Sequence, residues 1–263
     1  MFLNSNSFLN FGAACAGRLP RKFHNFIGLR LAKIKASGKF KREVHPGIFL
    51  ELDLSDWLQR LYYVGLVEQS IFNQLKTLVP VGGTFVDVGA YIGLFTCVMA
   101  NHVGPTGSVI AFEPMRECFE QLEHNIMLNR FQNVALNELA LSNDTGLINL
   151  YLPKHLGGTS GVAQVWNPGN WKAFSQISSV TLDSVFHGDS LHLIKIDVQG
   201  HELEVLKGAR QTIERHHPII LCEITTQNQP AAFELLGSLD YEVSRIKGAD
   251  HDFFFMPHSY ANR

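Results

Sequence analysis

From residue 84 to residue 224 the chain alternates short apolar runs with helical segments, and no other feature constrains the fold as much. The apolar runs lie at 84–88 (TFVDV), 108–112 (SVIAF), 133–141, 191–197 (LHLIKID) and 219–224 (IILCEI). Helical patterns separate several of them, at about 92–102, 115–129 and 201–216. Strands that alternate with helices pair in parallel through right-handed crossovers, so the expected fold class is α/β, a doubly wound and mostly parallel sheet. Two later runs, 241–246 (YEVSRI) and 253–256 (FFFM), predict an antiparallel strand pair that closes the sheet. Upstream, Trp57, Leu58, Leu61, Ile71, Phe72 and Leu75 give residues 54–79 the apolar stripes of a helix, stopped by Pro80 and turned at Gly82-Gly83. Between about 151 and 180 the alternation lapses into a stretch with Gly157, Gly158, Gly161, Gly169, Trp166 and Trp171. Long loops in compact domains are often functional. The aromatics here either pack over a substrate or staple a β-excursion onto the core.

Composition adds bounds. The chain has 263 residues, 46% hydrophobic and 17% charged, enough to bury a sizeable core. Cys15, Cys97, Cys118 and Cys222 stand far apart, which suits neither a disulfide framework nor a zinc site and reads as a reducing, cytoplasmic compartment. No run of 18 apolar residues exists, so no membrane-spanning helix is expected. The net charge of −2 hides an asymmetry. Residues 1–42 carry nine bases (Arg18, Arg21, Lys22, Arg30, Lys33, Lys35, Lys39, Lys41 and Arg42) and no acid, leaving 13 bases against 24 acids elsewhere, a balance of −11. Three readings of this arm stay open: a solvated extension, peripheral contact with an anionic membrane surface, and a targeting presequence. The expected division is a basic extension over 1–45 and one α/β domain over 46–263.

The sharpest motif is Asp87-Val-Gly-Ala-Tyr-Ile-Gly93. It follows a predicted strand and opens a helix, at the sheet edge where doubly wound folds bind ligands. Gly89 and Gly93 let backbone approach a ligand, and the helix start favours an anion such as a carboxylate. Asp87 adds a negative charge beside it. A ligand with both an ammonium and a carboxylate uses both features, and the methionine end of S-adenosylmethionine is one. Phe112-Glu113-Pro114 ends the next strand, with Glu113 placed to accept bonds from a ribose diol. A dinucleotide loop reads G-x-G-x-x-G; here Tyr91 takes the second glycine's place and Asp87 repels a diphosphate.

The segments VDVGAYIGLFT, AFEP, ALSNDTG, TLDSVF and above all LIKIDVQGHELEVLKGA resemble the FkbM-type methyltransferases, from about Glu68 to Glu223. The resemblance implies a Rossmann-like class I methyltransferase domain, S-adenosylmethionine as cofactor, and methyl transfer to a hydroxyl of a small-molecule or glycan acceptor. It implies that Asp87, Gly89, Ala90, Tyr91 and Gly93 hold the methionine end, with Glu68 of the Gly65–Glu68 stretch reaching the same pocket. Glu113 and Pro114 take the ribose, and Leu139 and Ala140 flank the adenine. Where the family commonly has Glu, this chain has Gln199, which removes a candidate carboxylate.

The acceptor side needs a base or a cation near the attacking oxygen, a contribution of roughly 10²–10⁴-fold. Lys195 and Asp197 lie two apart on one strand and so share a face. His201 and Glu202 open the next helix, and Glu223 ends the following strand at the same edge. Each also has a plain structural reading: an ion pair for Lys195 and Asp197, a helix-start acid for Glu202, a backbone acceptor for Glu223, a solvated ring for His201. The scattered histidines predict no metal. Two other classes compete, a nicotinamide-dependent oxidoreductase on the same fold and a non-catalytic cofactor-binding protein. A nucleic-acid partner is not expected, because the acidic body lacks the basic face that phosphate contact needs.

Overall fold

β-Branched and aromatic residues fill the strands, and parallel pairing buries them on both faces. In the computed structural model, which describes residues 33, 36–66, 69–152, 172–246 and 251–262, the chain begins with β1 (Lys39–His45), β2 (Ile48–Asp53), α1 (Trp57–Tyr63) and α2 (Gln69–Leu78). Then come β3 (Thr84–Val88), α3 (Leu94–Val103), β4 (Ser108–Phe112), α4 (Arg116–Leu128), β5 (Val134–Asn137), β6 (Ala140–Leu141), β7 (Gly146–Leu152) and β8 (Lys172–Val180). The last part holds α5 (Leu182–Val185), β9 (Leu193–Ile196), α6 (Glu202–Gly208), α7 (Arg210–His216), β10 (Ile219–Glu223), α8 (Gln229–Gly237), β11 (Tyr241–Arg245) and β12 (Asp252–Pro257).

Among the described residues a seven-stranded sheet runs in the order β11-β12-β10-β9-β3-β4-β5. The pairs β10–β9, β9–β3, β3–β4 and β4–β5 are parallel, and β12 runs antiparallel to both β10 and β11. The doubly wound sheet and its antiparallel C-terminal pair therefore stand as the sequence predicts. Alternation along each strand splits the core in two. Phe85, Leu193, Ile219 and Leu221 face one layer, with α2, α3 and the β1–β2 hairpin. Val86, Val88, Ile194, Ile196, Ile220 and Cys222 face the other, with α6, α7 and α8. Asp87 and Lys195 are register partners across β3 and β9, and both are buried.

Four boundaries differ from the sequence reading. The expected helix over 54–79 is two helices, because Gly65 takes φ 83° just after α1. The run 133–141 divides: β5 stays in the main sheet, while β6 joins a three-stranded sheet with β8 and β7. The run 201–216 breaks at Ala209 into α6 and α7. The lapse begins and ends in structure, since β7 and β8 pair antiparallel; Trp166, Trp171 and the glycines at 157, 158, 161 and 169 lie outside the described residues. The boundary expected at 45/46 falls in the turn of the β1–β2 hairpin, whose Val44 is buried in the core.

Candidate active site

At the carboxyl edge of β3, β4 and β9 the chain leaves a cleft of about 960 Å³, open on one side to solvent. That size suits a drug-sized ligand, and so does its position. The loop after β3 forms one wall. Gly89 sits at φ 75°, and a Cβ there would lie 1.9 Å from the Asp197 carbonyl oxygen, so the backbones of β3 and β9 meet only because residue 89 is glycine. Gly93 at φ 92° precedes α3 with no side-chain cap, and a Cβ there would press on Leu122. The first-turn N–H groups of α3, at Leu94 and Phe95 on the cleft wall, are oriented as an anion site. The Gly89 and Ala90 N–H groups both donate to the Phe112 carbonyl, so they hold the loop on β4 instead of facing a ligand.

Asp87 does not reach the cleft. It is fully buried; its Oδ2 accepts from Thr96 Oγ1 at 2.6 Å, and Oδ1 lies 3.4 Å from Lys195 Nζ. Lys195 in turn donates to the Gly89 carbonyl at 3.1 Å and stands over the Phe95 ring. Burial opposes its charge, but Asp87 and Asp197 outweigh burial and raise its pKa. The sequence reading put Asp87 against a ligand; the structure puts it beneath the loop, holding the lysine that holds Gly89.

Glu113 does reach the cleft. Its Oε2 accepts from the Tyr91 N–H at 2.8 Å and its Oε1 from the Met115 N–H at 2.9 Å. A carboxylate has about four lone-pair directions, so two remain for a ligand. Burial pushes Glu113 up to about 7, against the pull of those amides and of Lys195. Pro114, Leu139 and Ala140 line the cleft beside it. Tyr91, at φ 52°, lines it too, and its hydroxyl accepts from Gln59 of α1. Glu68 lies outside the described residues.

The turn after β9 supplies the opposite wall. Gln199 at φ 54° and Gly200 at φ 104° make the bend. Asp197 lines the cleft 3.7 Å from Lys195 Nζ. Burial would raise Asp197, but Lys195 and the Gln199 amide outweigh it and hold its pKa low. Gln199 Nε2 donates to Asp197 at 2.8 Å and reaches Glu223 at 3.4 Å. Glu223 is pushed up to about 8 by burial and by the charge of Asp197. His201 lines the cleft with Nε2 2.9 Å from Ser142 Oγ, and burial lowers its pKa. Glu202 is buried behind the turn, where it accepts from the Gly200 N–H, so its helix-start reading holds.

Sequence reasoning missed three contributors. Leu58 and Tyr62 of α1 form part of the cleft wall, and their spacing read only as core. Asp252 stands directly opposite Glu223 in the β10–β12 register, raised by burial and by Asp197. Like charges directly opposite on paired strands are destabilising, yet two carboxyls occupy this pair; the antiparallel register that makes them neighbours is invisible in sequence. Among the described residues no group of three or more His, Cys, Asp and Glu side chains is arranged to hold a metal ion, and no helix is long and apolar enough to cross a membrane.

Fold and cleft together define an α/β protein that takes its ligand at the carboxyl edge of a parallel sheet. The family model described as the methyltransferase FkbM domain matches residues 87–253, and the chain belongs to that family of S-adenosylmethionine-dependent methyltransferases. The chain is 29% identical over 201 residues to methyltransferase sdnD of Sordaria araneosa, covering 63% of this chain and 76% of that protein. It is 27% identical over 192 residues to hexuronic acid methyltransferase AglP of Haloferax volcanii, covering 71% and 75%. A crystal structure of the FkbM methyltransferase from Methylobacillus flagellatus KT aligns with TM-score 0.48 at 16% identity, over 89% of this chain and 59% of that one. Membership sets aside the oxidoreductase alternative.

Proposed function

We propose that the protein transfers the methyl group of S-adenosylmethionine to a hydroxyl oxygen of a sugar or natural-product acceptor. The observation that carries this reading is the placement of Glu113 and the Gly89–Gly93 loop on one wall of the cleft, with Asp197 and His201 on the other. The residues fit the cofactor: the first turn of α3 takes a carboxylate, Glu113 keeps two lone-pair directions for the ribose diol, and Leu139 and Ala140 give the adenine an apolar bed. When bound, the cofactor supplies an activated methyl group. The protein's share is to align the acceptor oxygen with it, a term worth up to about 7–11 kcal/mol, and to take the hydroxyl proton. Support for a sugar acceptor comes from AglP, whose name gives a hexuronic acid as its substrate.

Glu113 ties cofactor affinity to pH. Only its ionised form accepts both ribose hydroxyls. With the carboxyl pushed up to about 7, the ionised fraction falls through neutrality as pH drops. Titration calorimetry is expected to give affinity about tenfold weaker at pH 6 than at pH 8, and Glu113→Gln to weaken binding at pH 8 and flatten the dependence. The same slope in the variant would remove Glu113 from the site.

His201 is assigned as the proton acceptor, with Asp197 orienting the acceptor. Burial keeps His201 neutral at pH 7, and Lys195 makes Asp197 a weak base. A base works deprotonated, so the rate rises with pH through its pKa. The wild-type profile is expected to rise below pH 6.5, and His201→Ala to cost at least about a hundredfold in turnover. A limb near pH 8 that vanishes in Glu223→Gln would transfer the role to Glu223, raised to about 8.

A further inference from the structure

The methyl-transfer site uses nothing from the basic arm, yet the structure fixes where that arm leaves the body. Gly38 accepts from the Leu54 N–H at 2.9 Å, three residues before α1 begins at Trp57. The chain N-terminal to Gly38 therefore departs beside the start of the helix whose Leu58 and Tyr62 line the cleft. On the same helix Trp57 is 37% exposed, with the Arg60 guanidinium 5.6 Å from its ring centroid. Along β1, Lys41 is exposed, while Lys39 is tied to Glu51.

Charge and apolarity coincide here. Arg18, Arg21, Lys22, Arg30, Lys33 and Lys35 precede Gly38, interleaved with Phe23, Phe26, Ile27 and Ile34, and no acid stands among them. The residues from 43 onward carry 13 bases against 24 acids. An anionic surface attracts the arm and repels most of the body, so the charge distribution selects one orientation. Bases interleaved with large apolar residues, next to an exposed tryptophan, suit a lipid interface, where rings and aliphatic side chains enter the headgroup layer. A polynucleotide rewards a continuous basic face, which the acidic body does not offer.

We propose that residues 1–42, with Trp57 at their point of departure, dock the protein on an anionic bilayer surface and bring the mouth of the cleft beside it. Each base near such a surface strengthens binding by about fivefold. The test is co-sedimentation of the full chain with vesicles of phosphatidylcholine alone or of an equal mixture of phosphatidylcholine and phosphatidylserine. A variant with all six bases before Gly38 replaced by Gln, and Trp57→Ala, are run beside it, with calorimetric cofactor affinity as the control for folding. The expected result is at least about tenfold tighter binding to the mixed vesicles, weakened by high salt. The sixfold variant is expected to abolish that preference and Trp57→Ala to weaken it several-fold, both at unchanged cofactor affinity. Equal binding to both vesicle types, or equal binding of the sixfold variant, overturns the proposal. So does tighter binding of the full chain to a mixed-sequence RNA than to the mixed vesicles at the same salt.

Discussion

Lys195→Met is expected to lower folding stability by about 3–5 kcal/mol, the range for removing one partner of a buried ion pair. The size follows from what is left behind. Asp87 is fully buried, its Oδ2 is satisfied only by Thr96, and its Oδ1 has no hydrogen-bond partner among the described residues. Lys195 at 3.4 Å is the charge that compensates it. The variant also releases the Gly89 carbonyl, so the cofactor loop loses its tie to β9. The charge explanation makes a second demand. In Asp87→Asn/Lys195→Met no unpaired charge remains, so most of the lost stability returns even though the loop tie is still missing. Urea unfolding at pH 7 measures all three proteins. A double variant as unstable as the single one would mean that packing against Phe95, not charge, accounts for the loss.

Gly89→Ala is expected to weaken cofactor binding by at least about a hundredfold, because the site loses its shape and not merely one contact. An added Cβ would lie 1.9 Å from the Asp197 carbonyl oxygen and 2.9 Å from its carbon, both backbone atoms. No rotamer relieves such a contact. Relief requires the ends of β3 and β9 to part, which separates the loop from the turn that carries Asp197 and His201. The positive φ adds strain of order 1–3 kcal/mol for a non-glycine residue. Gly146→Ala is the matched control, since nothing lies within 4 Å of the Cβ it would gain. Calorimetry on both variants gives the comparison. Near-wild-type affinity in Gly89→Ala would show that the strands yield easily and that the cleft is not built on their close approach.

The elements that could be read from sequence were those specified by local patterns. Strand and helix alternation, the D-x-G turn and the shared face of Lys195 and Asp197 all depend on residues a few positions apart. The features that escaped depend on pairing across the chain. Asp87 looks like a ligand contact in its motif, but its register partner is Lys195, more than a hundred residues on, and that pairing draws it beneath the loop. Glu113 stands where the sequence placed it, yet two of its lone pairs serve backbone amides. Asp252 drew no notice because nothing local to it signals Glu223 across an antiparallel pair. The part of α1 in the cleft wall was hidden by its ordinary helical spacing, which serves the core and the cleft at once.

The place of β12 bears on how the protein is made. β11 is hydrogen-bonded to β12 alone, and β12 lies between it and β10. A ribosome completes β10 at residue 223 and β11 at residue 245 before any of β12 emerges. Until then the outer edge of β10, in the apolar sequence IILCE, presents open hydrogen-bonding groups, and β11 has no strand to join. The nascent chain thus carries a sticky apolar edge through the synthesis of some thirty residues. Closure comes with Phe253, Phe254 and Phe255, which bury themselves on arrival. The same late step sets Asp252 against Glu223, so the electrostatic setting of the catalytic edge is finished only when its edge is sealed.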